Sequence, residues 1–162
     1  LQPSLGLVET IYDFGIQAAE KVSERSEDPG IKWQEVTIKL TLAEILSAGK
    51  KEEKVNQLLK ECIDKSRIIF ETSYDLEYTY KAGRALFYLA LYFEDKKAYG
   101  EMFDFFSRSL REIKKQSADE EKLLKRTAED LKRSFEDRND FSKKSLLGFH
   151  HKPLEKKATP DQ

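Results

Sequence analysis

The chain has 162 residues, 39% hydrophobic and 36% charged, a length that suits one domain able to bury a core. Its 29 basic and 30 acidic residues leave a formal net charge of -1, which argues against the basic excess by which nucleic-acid-binding proteins displace counterions from phosphates. A single cysteine, Cys62, excludes an intrachain disulfide and a zinc site made of cysteines, and points to a reducing, intracellular compartment, cytoplasmic or nuclear.

The four prolines are Pro3, Pro29, Pro153 and Pro160, so the long stretch between the second and third is free of the strongest helix breaker. The first helix is expected over about 4–25, with Val8, Ile11, Tyr12, Gly15, Ala19 and Val22 recurring at steps of three and four. The turn Glu27-Asp28-Pro29-Gly30 ends it. A second helix, about 31–48, carries Trp33, Val36, Leu40 and Ala43 on one side and Ile38, Leu42 and Ile45 on another. Two of its faces should therefore meet apolar neighbours, and Gly49 is its natural stop.

The third helix, about 51–71, is amphipathic, with Val55, Leu58, Leu59, Cys62, Ile63 and Ile69 inward. The fourth, about 75–94, is apolar nearly all round in its second half, as in a helix packed between others at the centre of a domain. Its run LFYLALYF at 86–93 is the longest apolar stretch, far short of the roughly 20 residues a membrane span needs. A fifth helix over about 98–115 would point Tyr99, Met102, Phe103, Phe106, Leu110 and Ile113 inward. Ser117 followed by Glu120 is a capping-box signature for a sixth, with the narrow stripe Leu124, Ala128, Leu131 and Phe135. Residues 1–141 read as one domain and 142–162 as a flexible basic tail, whose apolar cluster Leu146, Leu147, Gly148 and Phe149 is expected to fold back over an open helix end or to dock on a partner. Met102 is the only methionine and no basic-then-apolar segment opens the chain at Leu1, so a piece of a longer, non-exported protein is expected.

Sliding the sequence on itself aligns Leu40, Leu42, Ala43, Leu46, Val55, Leu59 and Cys62 with Phe87, Leu89, Ala90, Phe93, Met102, Phe106 and Ser109 at one offset. Each unit sets small residues where two helices of a hairpin cross, and bulky ones beside the crossing. The pattern resembles, in degenerate form, the tetratricopeptide repeat over about residues 36–115, although its period is longer than that family's 34 residues and neither unit carries the terminal proline. The resemblance implies an all-α stack of five to six antiparallel helices, a solenoid with a concave groove for a peptide or partner helix. It places Thr37, Leu40, Glu44 and Ser47 of the second helix, and Arg84, Phe87, Leu91, Glu94 and Asp95 of the fourth, along that groove.

Aromatic density on the fourth helix selects a recognition surface independently: Tyr80, Phe87, Tyr88 and Leu91, with Arg84 one turn from both tyrosines, since aromatics and Arg are favoured at binding hot spots. The partner-binding set is thus Tyr80, Arg84, Phe87, Tyr88, Leu91, Glu94 and Asp95, with one base and two acids. It favours an apolar or basic segment of a partner protein. No catalytic, cofactor or metal site is expected. The only histidines, His150 and His151, fall in the tail, where solvated side chains are the ordinary case. There is no Glu-x-x-His, glycine-rich phosphate loop or nucleophile elbow, and Cys62 lies on an apolar stripe, where it packs rather than reacts. The expected function is a protein-interaction module or scaffold, not an enzyme, without nucleic-acid or membrane partners. The alternatives are a bundle that forms homo- or hetero-oligomers and, less favoured by composition, a small helical enzyme or nucleic-acid-handling domain.

Overall fold

The computed structural model describes residues 4–93 and 146–151, with isolated positions 97, 100, 119, 122, 125, 126, 129 and 133, all of them helical. Four helices follow in order: α1 (Leu5–Glu24), α2 (Pro29–Leu46), α3 (Glu52–Thr72) and α4 (Leu76–Phe93), then a 3-10 turn at Gly148–His151. No strand occurs among the described residues, so the chain is all-α. The expected fifth and sixth helices lie almost wholly outside the described residues. Consecutive helices pack on one another through short connections, as antiparallel hairpins do.

Local chemistry sets the boundaries. The Ser4 hydroxyl accepts from the Leu7 amide and opens α1. α2 begins two residues earlier than expected, because the Asp28 carboxylate caps it by accepting from the Gly30 amide at 2.8 Å. Pro29 then fills the first helical position, where a missing N–H costs nothing. The same Pro29 that punctuates the sequence thus starts the helix instead of separating two. α2 ends at Leu46, with the Gly49 amide donating to the Leu46 carbonyl. Asp75 closes an analogous turn onto the Glu77 amide before α4.

α2 packs against α1, α3, α4 and the 3-10 turn. Val36, Leu40, Leu42, Ala43 and Leu46 are fully buried, which fits the two apolar faces read from its sequence. The α3 stripe is also as expected, with Val55, Leu58, Leu59, Cys62 and Ile69 in the core and Ile63 at its margin. Burial pushes the Cys62 thiol far up, and its sulfur lies 3.7 Å from the Val36 carbonyl, so it remains a protonated packing group.

α1 departs from the expected stripe. Its inner face is Val8, Tyr12, Ile16 and Ala19, with Ser23 buried at the end, while Ile11 is 60% exposed and Val22, with Leu7 and Phe14, also faces outward. The sequence offers two apolar stripes on this helix, and the one turned inward brings the flanking acids onto lysines. With Ile16 turned inward, Glu9 meets Lys51, which caps α3, and Lys54 within it, Asp13 meets Lys54 at 2.9 Å, and Glu20 reaches Lys39 of α2 at 3.7 Å. Facing Ile11 inward would carry these acids away from their partners.

Two predictions follow from this packing. Ala43 has no exposed surface, so Ala43→Leu should overpack the core and lower unfolding free energy by about 1–3 kcal/mol in a urea titration. The hydrogen bonds from Lys51 and then Lys54 hold the Glu9 carboxyl below its ordinary value of 4.5. The unfolded chain therefore takes up this proton first as pH falls, and the contribution of Glu9 is full at neutral pH and lost below about 4.5, through the lowered folded value. Melting temperatures of wild type and Glu9→Gln should differ at neutral pH and converge in acid.

Candidate functional site

Part of the segment read as a flexible tail is packed. Leu146, Leu147 and Phe149 are buried, Phe149 to 2% exposure, and the turn Gly148–His151 lies on α2 and α4. The tail description therefore fails for residues 146–151, because three large apolar groups within four residues bury enough surface to offset the ordering of so short a piece. The rest of 142–162 lies outside the described residues.

The Phe149 ring lies flat on the Tyr88 ring, with centroids 4.6 Å apart and planes 5° from parallel, and it also meets the His150 ring in an edge-on contact. His150 Nδ1 is 2.8 Å from the Leu147 carbonyl, and its Nε2 is 3.1 Å from the Thr41 hydroxyl of α2. His151 Nε2 sits 2.8 Å from Oε2 of Glu44. Thr41 is itself turned toward its own helix, its hydroxyl 2.9 Å from the Thr37 carbonyl. One wall of the site is thus the Thr37–Thr41–Glu44 edge of α2; Tyr88 of α4 forms the other.

Electrostatics at this place follow from enclosure. Burial lowers the His150 pKa from its ordinary 6.5, and neighbouring His151 lowers it further, against the opposing pull of the Leu147 carbonyl and Glu44. Burial likewise lowers Arg84, on the same stretch of α4 as Tyr88. His150 is therefore neutral at pH 7, and its proton belongs on Nδ1, since a carbonyl can only accept.

The sequence-derived partner-binding set divides. Tyr80, Phe87 and Leu91 are buried, so they belong to the interior of this conformation and not to an open surface. Apolar residues on nearly every side of α4 read equally as an interface or as a core, and here three of them are core. Arg84 and Tyr88 are half-buried and lie at the site, Tyr88 under Phe149. Glu94 and Asp95 lie outside the described residues. Of the α2 groove positions, Leu40 is buried, Thr37 and Glu44 line the wall, and Ser47 is exposed.

The histidines were expected to be solvated. His151 is partly so, its side chain 55% exposed, but the His150 side chain is wholly buried. Thr41 and the two histidines had no signal in the sequence as parts of a site; the Leu-Leu-Gly-Phe cluster was the one visible sign that this stretch packs.

Comparison with protein-family models, with curated proteins and with solved structures found no match. The fold and site define this chain as an all-α domain with an internally bound apolar segment.

Phe149→Ala should lower unfolding free energy by up to about 3–5 kcal/mol, whereas Phe149→Tyr, which keeps the ring on Tyr88, should cost much less. Urea titrations followed by circular dichroism would check both.

Proposed function

We propose that this domain is a protein-interaction module that takes a short apolar, basic-flanked segment between the Thr37–Thr41–Glu44 edge of α2 and the Arg84–Tyr88 stretch of α4. The observation that carries this reading is the packing of residues 146–151 there: a Leu-Leu-Gly-Phe stretch, distant in sequence, seats its aromatic ring on Tyr88. Such a contact is how short linear segments engage helical surfaces, through a few buried anchors. Lys143, Lys144 and Lys152 flank the cluster in the sequence, which suits the acidic Glu44 wall. In this reading residues 146–151 occupy the surface in cis, a partner segment of similar chemistry replaces them, and the domain has no catalytic role. The repeat pattern in the sequence is consistent with a degenerate tetratricopeptide-like scaffold around this groove.

The rival, a structural oligomerisation bundle, draws on the outward stripe of α1, where Leu7, Ile11, Phe14 and Val22 share one exposed side. Both can be judged on one protein, the full chain carrying Leu147→Asp and Phe149→Asp to release the segment. A labelled peptide of residues 142–154 should bind this variant and not the wild type, and adding Tyr88→Ala should weaken binding roughly thirtyfold, the equivalent of about 2 kcal/mol. If the variant keeps its helical circular dichroism yet ignores the peptide, the interaction reading fails. Self-association of that same protein in sedimentation would then favour the bundle.

A further inference from the structure

We propose that Glu44, His150 and His151 form a binding site for a single divalent transition-metal ion of the zinc type. Each offers one ligand atom, and the three atoms lie within 4.8 Å of one another. His151 Nε2 is 2.8 Å and His150 Nε2 3.8 Å from the same Glu44 Oε2. These two separations bracket the roughly 3.3 Å edge between ligands held at about 2.0–2.1 Å in a tetrahedral zinc site. With all three atoms already within 4.8 Å of one another, side-chain rotamer adjustments would close the set around an ion, and two imidazoles with a carboxylate suit zinc and its first-row neighbours.

The convergence is not supplied by the backbone. In a 3-10 turn, successive side chains diverge by about 120°, yet the adjacent rings of His150 and His151 lie 3.9 Å apart and both face one carboxylate. The partner of His150 on its far side strengthens the case. Its Nδ1 proton is committed to the Leu147 carbonyl, the arrangement that fixes a metal-binding imidazole in the tautomer with a free lone pair on Nε2. That lone pair faces the Thr41 hydroxyl, whose single proton is also within reach of the Thr37 carbonyl, and it faces a carboxylate oxygen. A cation between Nε2 and Oε2, which lie 3.8 Å apart, would take the Nε2 lone pair and a carboxylate oxygen together. The ion would tie residues 150 and 151 to α2 and leave at least one coordination position open to water.

The inference goes beyond the interaction reading and does not rest on it, since it needs only the packed segment. The test uses the full chain, stripped with a chelator and titrated with zinc chloride by calorimetry, and with cobalt chloride by visible absorption. One equivalent should bind, with the intensified bands of a low-coordinate cobalt site. Glu44→Gln and His151→Asn should each weaken zinc binding about tenfold or more, while melting in metal-free buffer stays near wild type. Because His150→Ala could loosen the segment itself, Glu44→Gln decides the matter. Zinc affinity unchanged in Glu44→Gln, or binding of several weak equivalents, would mean adventitious capture by surface histidine and overturn the site, as would a wild-type chain that binds no zinc.

Discussion

The structure depends on the enclosure of α2. α1, α3, α4 and the returning segment all lie on this helix, which leaves it little solvated surface on which to place charge. It nevertheless carries Glu35 and Lys39, both almost fully buried and 3.1 Å apart one turn along the helix. Burial by itself would lower the Lys39 pKa, but the hydrogen bond and charge of Glu35, with Glu61 and Glu20, outweigh it and keep the ammonium ionised. Lys65 of α3 adds a second cation 3.5 Å from Glu35. Such a cluster contributes little net stability over an apolar core of the same shape, yet losing one member strands a buried charge at a cost of about 3–5 kcal/mol. It links three helices. α1 has to bring Glu20, and α3 has to bring Glu61 and Lys65, to fixed places along α2.

That requirement accounts for the orientation of α1. The stripe that turns inward is the one whose flanking acids meet Lys39, Lys51 and Lys54. With the inward stripe fixed by Ile16, the remaining apolar side chains, including Phe14 at 70% exposure, are left on the outside. Coverage by α1 on one side and α3 on another leaves α2 a narrow edge of two threonines and Glu44. This edge and Tyr88 of α4 are what the 146–151 segment finds. The threonine hydroxyls bond carbonyls of their own helix, which keeps the wall slim and lets a backbone turn approach.

The interaction reading and the metal reading meet on this edge. An ion held by Glu44, His150 and His151 would hold the cis segment in place, and a partner segment entering the groove would have to displace both. Competition of this kind would make the occupancy of the groove sensitive to metal without any change in the helices that form it. The energy involved is local, since the segment touches α2 and α4 through a handful of side chains while the charge cluster lies on other faces of α2.

Much of this was legible in the sequence, and the failures have a common cause. Helical periodicity and the apolar stripe of α3 are properties of residues three or four apart, and these alone determined an all-α chain with its four described helices close to their observed ends. The burial of Leu42, Ala43 and Leu59 was readable for the same reason. Tertiary structure alone decided which stripe of α1 turns inward, because the groups that Glu9, Asp13 and Glu20 meet, Lys39, Lys51 and Lys54, lie far along the chain. It alone decided that Tyr80, Phe87 and Leu91 are core, since an all-round apolar helix does not say which neighbours surround it. It also brought His151 to Glu44 across 107 residues, and a meeting over that separation leaves no periodic trace along the chain; only the folded path of the backbone can place two such groups side by side.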